Sequence, residues 1–202
     1  KTRINFPSLL RLYIEPEVCI NDWDFFKTND IINIEKKIPT YVEQIDRKFG
    51  VNVGFPLGRK FKIEMSGAYV NNDDLYSNYS TLVSTDILDV TEFDARTFSM
   101  SLKSNTLNRK MYATEGGATT VSLKYVDGKE THNPGSTSLF VDTLSSLHQW
   151  LTLRFSHEQY FGSKPFHWGY LLEGVLSDQP FFRTYTSSVI NAPAFLPLQD
   201  SR

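Results

Sequence analysis

The sequence lacks several features that would assign a protein to a class at once. It has one cysteine, Cys19, so no internal disulfide can form. No segment approaches the roughly 20 apolar residues of a transmembrane helix, and the first residues lack the apolar core of a signal peptide. With 21 basic and 23 acidic residues, the chain carries no excess of positive charge. Nucleic acid is therefore not an expected partner.

Aromatic residues, in contrast, are abundant, and they make up 14% of the chain. This content is high for an ordinary soluble domain. Many of these residues stand near the ends of apolar segments, where the interfacial girdles of a membrane barrel would lie. They are Tyr41, Phe49, Phe55, Phe61, Tyr69, Phe93, Trp150, Tyr160, Phe161, Phe166 and Trp168. The alternative interpretation, that they are ordinary core aromatics, stays open at this point.

Apolar and polar residues alternate with a period of two along most of the chain, which predicts strands with two unlike faces. Seven such segments can be read, near residues 10–20, 45–55, 61–69, 98–102, 121–125, 151–155 and 166–176. The residues of the apolar faces that we expect to contact lipid are Leu10, Leu12, Ile14, Val53, Ile63, Met100, Leu123 and Leu153. No helix is predicted.

The opposite faces carry charged residues. These are Arg11, Glu15, Glu17, Lys48, Lys62, Glu64, Lys103, Lys124, Arg154 and Glu173. They either line a water-filled path or pair across neighbouring strands and solvate the lumen. The sequence leaves both interpretations open.

The connections between the segments alternate in length. Longer ones are expected at about 21–40, 71–92 and 128–147, and shorter ones at 56–59, 105–117 and 161–165. Outer-membrane barrels have short periplasmic turns and long extracellular loops. We therefore expect the shorter connections to face the periplasm and the longer ones the outside.

Residues 105–117, NTLNRKMYATEGG, have the composition of a defined turn. Asn side chains bond their own backbone in turns, and Gly supplies a positive φ. The segment resembles the turn of the BamA-like surface-antigen barrels, which follows a pattern like N-x-L-D-R-x-x-x-P-T-x-G. The matching residues are Asn105, Leu107, Arg109, Thr114 and Gly116. Asn108 stands where the family often has Asp, and Ala113 where it usually has Pro.

The order of the segments, with NPGSTS at 133–138 and the stretch 177–202, looks like the barrel half of bacterial patatin-like phospholipases. This resemblance implies an attached periplasmic lipase domain outside the chain. No Gly-x-Ser-x-Gly nucleophile motif occurs, and Asp127-Gly128 is interpreted as a turn after a strand. The end of the chain closes no recognisable element, so we expect a piece of a longer protein.

Other candidate sites have weak sequence support. The four histidines show no metal-ligand spacing, so neither a metal nor another cofactor is expected. Asp73-Asp74, interpreted as part of a loop, could bind a divalent cation but is more simply solvated. His157 lies in register with Phe155, as in phospholipases that carry Ser and His outside a barrel, but Ser156 projects to the opposite face. No catalytic residue is predicted.

Residues 1–202 are therefore expected to form one partial domain of an antiparallel up-and-down transmembrane β-barrel, with seven to eight strands visible. The predicted location is a Gram-negative outer membrane, with outer-membrane lipid as a partner. The predicted role is to anchor, and also to translocate, an attached patatin-like lipase domain, without enzymatic activity of the chain itself. Two alternatives remain: a soluble all-β binding module, and a barrel-borne lipid esterase.

Overall fold

The computed structural model of the chain describes residues 3–6, 11–24, 43–77, 86–136, 138–139, 141–163 and 166–182. Eight strands follow one another: β1 Ile4–Phe6, β2 Leu12–Asp24, β3 Glu43–Leu57, β4 Phe61–Tyr76, β5 Asp89–Asn105, β6 Gly116–Asn133, β7 Leu144–Ser163 and β8 Phe166–Ser177. Among the described residues, no helix is long and apolar enough to cross a membrane.

All eight strands join one antiparallel sheet in which each strand pairs with its neighbours in sequence. The prediction of an all-β, antiparallel, up-and-down architecture is confirmed. The sheet is open, with β1 and β8 at its two edges. β1 was not among the seven predicted segments, because its three residues are too few to show an alternation.

The strands extend well beyond the predicted segments at one end of the sheet. β4 continues to Tyr76, so Asp73 and Asp74 lie in a strand and not in a loop. β6 continues to Asn133, so Asp127-Gly128 is strand as well, and the turn prediction for it is wrong. The reason is that backbone pairing persists after the alternation of apolar and polar residues has ended.

The connections are shorter than predicted for the same reason. Those at the extended end of the sheet cover 25–42, 77–88 and 134–143, and those at the opposite end cover 7–11, 58–60, 106–115 and 164–165. We call these ends the long-loop edge and the short-turn edge. The connections 106–115 and 134–143 are equally long, so the expected rhythm of lengths fails for that pair.

The register brings side chains of like character into rows across the sheet. One row joins Ile4, Ile14, Val53, Met65, Met100, Leu123, Leu153 and Leu176, one from each strand. The adjacent row on the opposite face contains Tyr13, Gly54, Glu64, Ser101, Ser122 and Arg154. We call the face with Leu123 the outer face and the face with Ser122 the inner face.

The buried core lies on the inner face near the long-loop edge. Phe93, Ala95, Val126, Trp150 and Phe182 form its hydrophobic part. Gly128 fits into the same layer because a Cβ there would lie 2.5 Å from the Phe93 ring and 2.8 Å from the Ala95 methyl group. The absence of a side chain inside β6 thus makes room for neighbouring core residues.

Candidate functional site: the two faces of the sheet

The outer face presents apolar side chains that remain exposed. Leu123 is 42% exposed, Met100 44% and Leu153 39%, although all three stand in central strands. Contiguous exposed apolar patches of this kind are uncommon on soluble monomers.

The structure places the residues predicted to contact lipid on this face. Ile14, Val53, Met100, Leu123 and Leu153 occupy one row. Leu12 and Ile63 stand two residues from Ile14 and Met65 in their own strands, and therefore project to the same side. Leu10 lies outside the described residues.

The apolar band of the outer face ends in polar side chains towards the long-loop edge. The Tyr69 hydroxyl donates to Asp94 Oδ1 at 2.6 Å, and beyond it Arg47 pairs with Asp73 at 2.6 Å. At the opposite end, Phe161 stacks on Trp168 with 4.7 Å between ring centroids. Aromatic rings thus lie at both margins of the band.

Three of the aromatics expected at such margins lie on the other face. Phe93 and Trp150 are 5% and 8% exposed and belong to the inner core, where their rings stack with centroids 5.7 Å apart. Tyr160 pairs with Gly116 and Gly169, which puts it in an inner row. For Phe93 and Trp150 the interpretation as core aromatics is correct. Tyr41 lies outside the described residues.

The inner face carries ion pairs between neighbouring strands. Lys48 of β3 pairs with Glu17 of β2 at 3.1 Å, and within β4 Lys62 pairs with Glu64 at 2.6 Å. Glu64 also accepts from Lys103 and from the Tyr13 hydroxyl. Several of the predicted inward charges therefore pair across strands, but they also surround open space. A cavity of about 490 Å³ lies among them, with Lys124 and several Ser and Thr hydroxyls in its wall.

Polar groups are buried on the inner face near the long-loop edge. His148 Nε2 lies 2.6 Å from Glu130 Oε2, and both residues are buried. A second group joins the Tyr76 hydroxyl to Thr91 Oγ1 at 3.0 Å and to His132 Nδ1 at 3.3 Å. These contacts satisfy polar atoms that burial would otherwise leave without partners.

Asp74 belongs to the same region and is only 2% exposed. Burial, together with the negative charges of Asp46 and Asp73, raises the pKa of its carboxyl group to about 7. Burial also raises the pKa of Asp46, against a hydrogen bond from Asn21 that lowers it. Because Asp73 projects to the outer face and pairs with Arg47, the two adjacent aspartates cannot share a cation.

The segment after β8 folds back onto the inner core. Asp178 fixes its start, since Leu151 N donates to Asp178 Oδ1 at 2.6 Å and Asp178 N donates to Leu151 O at 3.3 Å. Phe182 then enters the core, where its ring stacks on His148 with 4.6 Å between centroids and lies 5.1 Å from that of Phe93. The predicted resemblance over 177–202 otherwise falls on residues 183–202, which are not described.

The motif segment forms a turn held by its own side chains. Asn108 Oδ1 accepts from Thr114 N at 3.1 Å, and Asn108 Nδ2 donates to Thr114 Oγ1 at 2.9 Å. Asn105 Oδ1 accepts from Leu107 N at 2.9 Å. Gly116 has a φ of +94°. Four of the motif residues thus have a structural role, while Arg109 is exposed on the turn.

His157 lies on the outer face between two hydroxyl groups. Its Nδ1 is 2.8 Å from Thr119 Oγ1 and its Nε2 is 3.2 Å from the Tyr170 hydroxyl. Ser156 pairs with Glu173 on the inner face, as predicted. Among the described residues, no three His, Cys, Asp or Glu side chains are close enough together to hold a metal ion.

Comparison with known proteins adds no relative. No family model, no curated protein and no solved structure matches the chain.

Proposed function

We propose that the chain is part of an outer-membrane β-barrel whose outer face contacts lipid and whose inner face lines a water-filled lumen. The observation that carries this proposal is the apolar row through Leu123, which runs across all eight strands, while six of its eight side chains stay exposed and Ile14 and Val53 are half-buried. A water-soluble sandwich would cover such a face with a second layer. The described residues supply no such layer.

The height of the apolar band supports the proposal. On β4, the outer residues are apolar from Phe61 to Tyr69, and Asn71 and Asp73 follow them. Nine residues span about 26 Å along a strand, or roughly 20 Å along the membrane normal at a tilt of about 40°. This is close to the ~25 Å apolar band of outer-membrane barrels. The polar ends of the strands would then extend beyond the membrane.

The inner face is suited to water. Its ion pairs and hydroxyl groups would be costly against hydrocarbon, because each unpaired charge would lose its hydration. Closure of the sheet into a barrel would give the edges β1 and β8 pairing partners, as a lipid environment demands of backbone N–H and C=O groups.

The turn at 106–115 supports kinship with the BamA-like surface-antigen barrels, most closely the barrel half of patatin-like phospholipases. Asn105, Asn108 and Gly116 hold this turn by the contacts that such a motif would require. In this proposal the chain anchors and translocates an attached lipase domain in a bacterial outer membrane. The chain itself has no catalytic role.

Paired arginine substitutions test the lipid contact. Leu123→Arg, in the middle of the outer band, should lower the free energy of unfolding from phosphatidylcholine vesicles by about 2 to 4 kcal/mol. Ser122→Arg, on the inner face, should change it by less than about 1 kcal/mol. Urea titration of vesicle-bound chain measures both values. Equal losses for the two variants would contradict the proposed orientation of the faces.

Cysteine labelling tests the orientation in cells. Ile87 is exposed at the long-loop edge and Lys110 at the short-turn edge. In a Cys19→Ser background, Ile87→Cys should react with a membrane-impermeant maleimide on intact cells. Lys110→Cys should react only after the outer membrane is opened. Labelling of both positions on intact cells would refute the proposed topology.

A further inference from the structure

A second cavity, of about 320 Å³, lies on the inner face at the short-turn edge. Its wall contains four cationic residues and no carboxylate. The charged and polar residues that matter are Arg59, Lys60, Lys62, Lys103, Asn105 and Thr120. We propose that this cavity binds a phosphate group, presented either by a soluble anion or by a lipid headgroup.

The charges around the cavity are not balanced. Lys62 and Lys103 share one carboxylate, that of Glu64, which lies deeper on the inner face. Arg59 and Lys60 stand in the turn 58–60, and no ion pair of either is found among the described residues. Four positive charges therefore face one negative charge. A bound anion would reduce the repulsion among the cations and gain attraction from each of them.

Neutral donors complete the set that a phosphate oxygen needs. Asn105 Oδ1 accepts from Leu107 N at 2.9 Å, which leaves the amide Nδ2 of Asn105 as a donor. The Thr120 hydroxyl lies in the same wall. Arg59 adds a planar guanidinium, whose parallel N–H groups match two phosphate oxygens. The mixture of a guanidinium, ammonium groups and hydroxyl or amide donors is typical of phosphate recognition.

The turn geometry positions the two unpaired cations. Gly58 has a φ of +72°, which allows the chain to reverse within three residues between β3 and β4. Arg59 and Lys60 thereby lie in the wall of the cavity, on a three-residue turn. The site is a property of the sheet alone. It does not depend on whether the outer face contacts lipid.

The experiment measures binding of inorganic pyrophosphate to the full chain, folded in octyl glucoside micelles, or in buffer if the chain proves soluble there. Isothermal titration at low ionic strength should give saturable binding. Arg59→Gln with Lys60→Gln should weaken it about tenfold or more. The matched control is Arg96→Gln with Lys129→Gln, which removes the same charge from exposed outer-face positions and should change binding less than about twofold. Circular dichroism verifies that the variants fold.

A second arm identifies the source of the phosphate group. Dioctanoyl phosphatidylglycerol is titrated in place of pyrophosphate, with dioctanoyl phosphatidylcholine as its zwitterionic control. Binding of pyrophosphate alone identifies a soluble anion, and preferential binding of phosphatidylglycerol, displaced by pyrophosphate, identifies a headgroup. Equal weakening by the site variant and the control variant, or binding of neither ligand, would overturn the proposal. Because the titration is also possible in buffer, its failure is distinguishable from failure of the membrane assignment.

Discussion

The turn at 106–115 gives the sharpest prediction of stability, because two glycines with positive φ can be compared. A Cβ at Gly116 would lie 2.8 Å from the Thr106 carbonyl carbon and even closer to its oxygen. A Cβ at Gly58 would meet nothing within 4 Å. Gly116→Ala therefore adds a backbone clash to the conformational cost, whereas Gly58→Ala adds the conformational cost alone.

The magnitudes follow from the contacts. A non-glycine residue at positive φ costs about 1 to 2 kcal/mol. The clash at Gly116 also displaces Thr106, which donates through its N to Gly117 O at 2.8 Å and accepts at its Oγ1 from Gly117 N at 3.1 Å. Each lost bond costs about 1 kcal/mol. We expect Gly116→Ala to destabilise the chain by about 3 to 4 kcal/mol, and Gly58→Ala by about 1 to 2 kcal/mol.

Urea unfolding in detergent micelles, followed by tryptophan fluorescence, measures both free energies. Amide hydrogen exchange supplies a local check, since Thr106 N and Gly117 N should exchange faster in Gly116→Ala only. If the two alanine variants lose the same free energy, the close approach of Gly116 to Thr106 is not a feature of the folded protein. The structural role assigned to the motif would then be refuted.

Two further predictions concern the buried region at the long-loop edge. Because burial raises the pKa of Asp74 from 3.8 to about 7, the folded chain keeps a proton that the unfolded chain has lost. The free energy of unfolding should therefore fall as the pH rises from about 4 to 7, by up to roughly 4 kcal/mol. In urea titrations, Asp74→Asn should remove most of this pH dependence, whereas the control Asp127→Asn should not. An unchanged pH dependence in Asp74→Asn would refute the assignment. Phe182 is 4% exposed, whereas its neighbour Phe181 is 83% exposed. Phe182→Ala should therefore destabilise docking of 178–182 by about 3 kcal/mol, and Phe181→Ala by under about 0.5 kcal/mol. Amide hydrogen exchange measures both effects, and equal protection in the two variants would contradict the docking.

The alternation of residues was sufficient to predict the faces of the strands. Ile14, Val53 and Leu123 were assigned to one face from period two alone, and the register places them in one row. The same parity also argues that Trp150 lies opposite Leu151, on the inner face. The prediction that Trp150 belongs to an interfacial girdle disregarded this alternation, and it is wrong for that reason.

Strand ends could not be predicted from alternation. Outer-face residues such as Asn71, Asp94 and Lys129 are polar, so the pattern stops there, although the hydrogen-bonded ladder continues. Hydrogen bonding between strands does not require apolar side chains. Apolar side chains are required only where a face contacts lipid or a hydrophobic core. Loop boundaries read from polarity were therefore placed too early along β4 and β6.

The buried polar contacts and the docking of the segment after β8 also could not be predicted from the sequence. Glu130 meets His148 only because β6 and β7 pair in one particular register. Phe182 contacts Phe93 across a separation that no local pattern spans. Contacts of this kind depend on long-range packing, which a periodicity does not encode.

The contact between the outer face and lipid is tested most directly by the environment of Leu123. A spin label is attached at Leu123→Cys, with Ser122→Cys as its inner-face control, both in a Cys19→Ser background. In vesicles, oxygen should relax the Leu123 label strongly and a water-soluble nickel chelate should not, while the Ser122 label should respond to the chelate. A Leu123 label that neither reagent reaches, in a preparation that is folded and soluble without detergent, would contradict the membrane assignment.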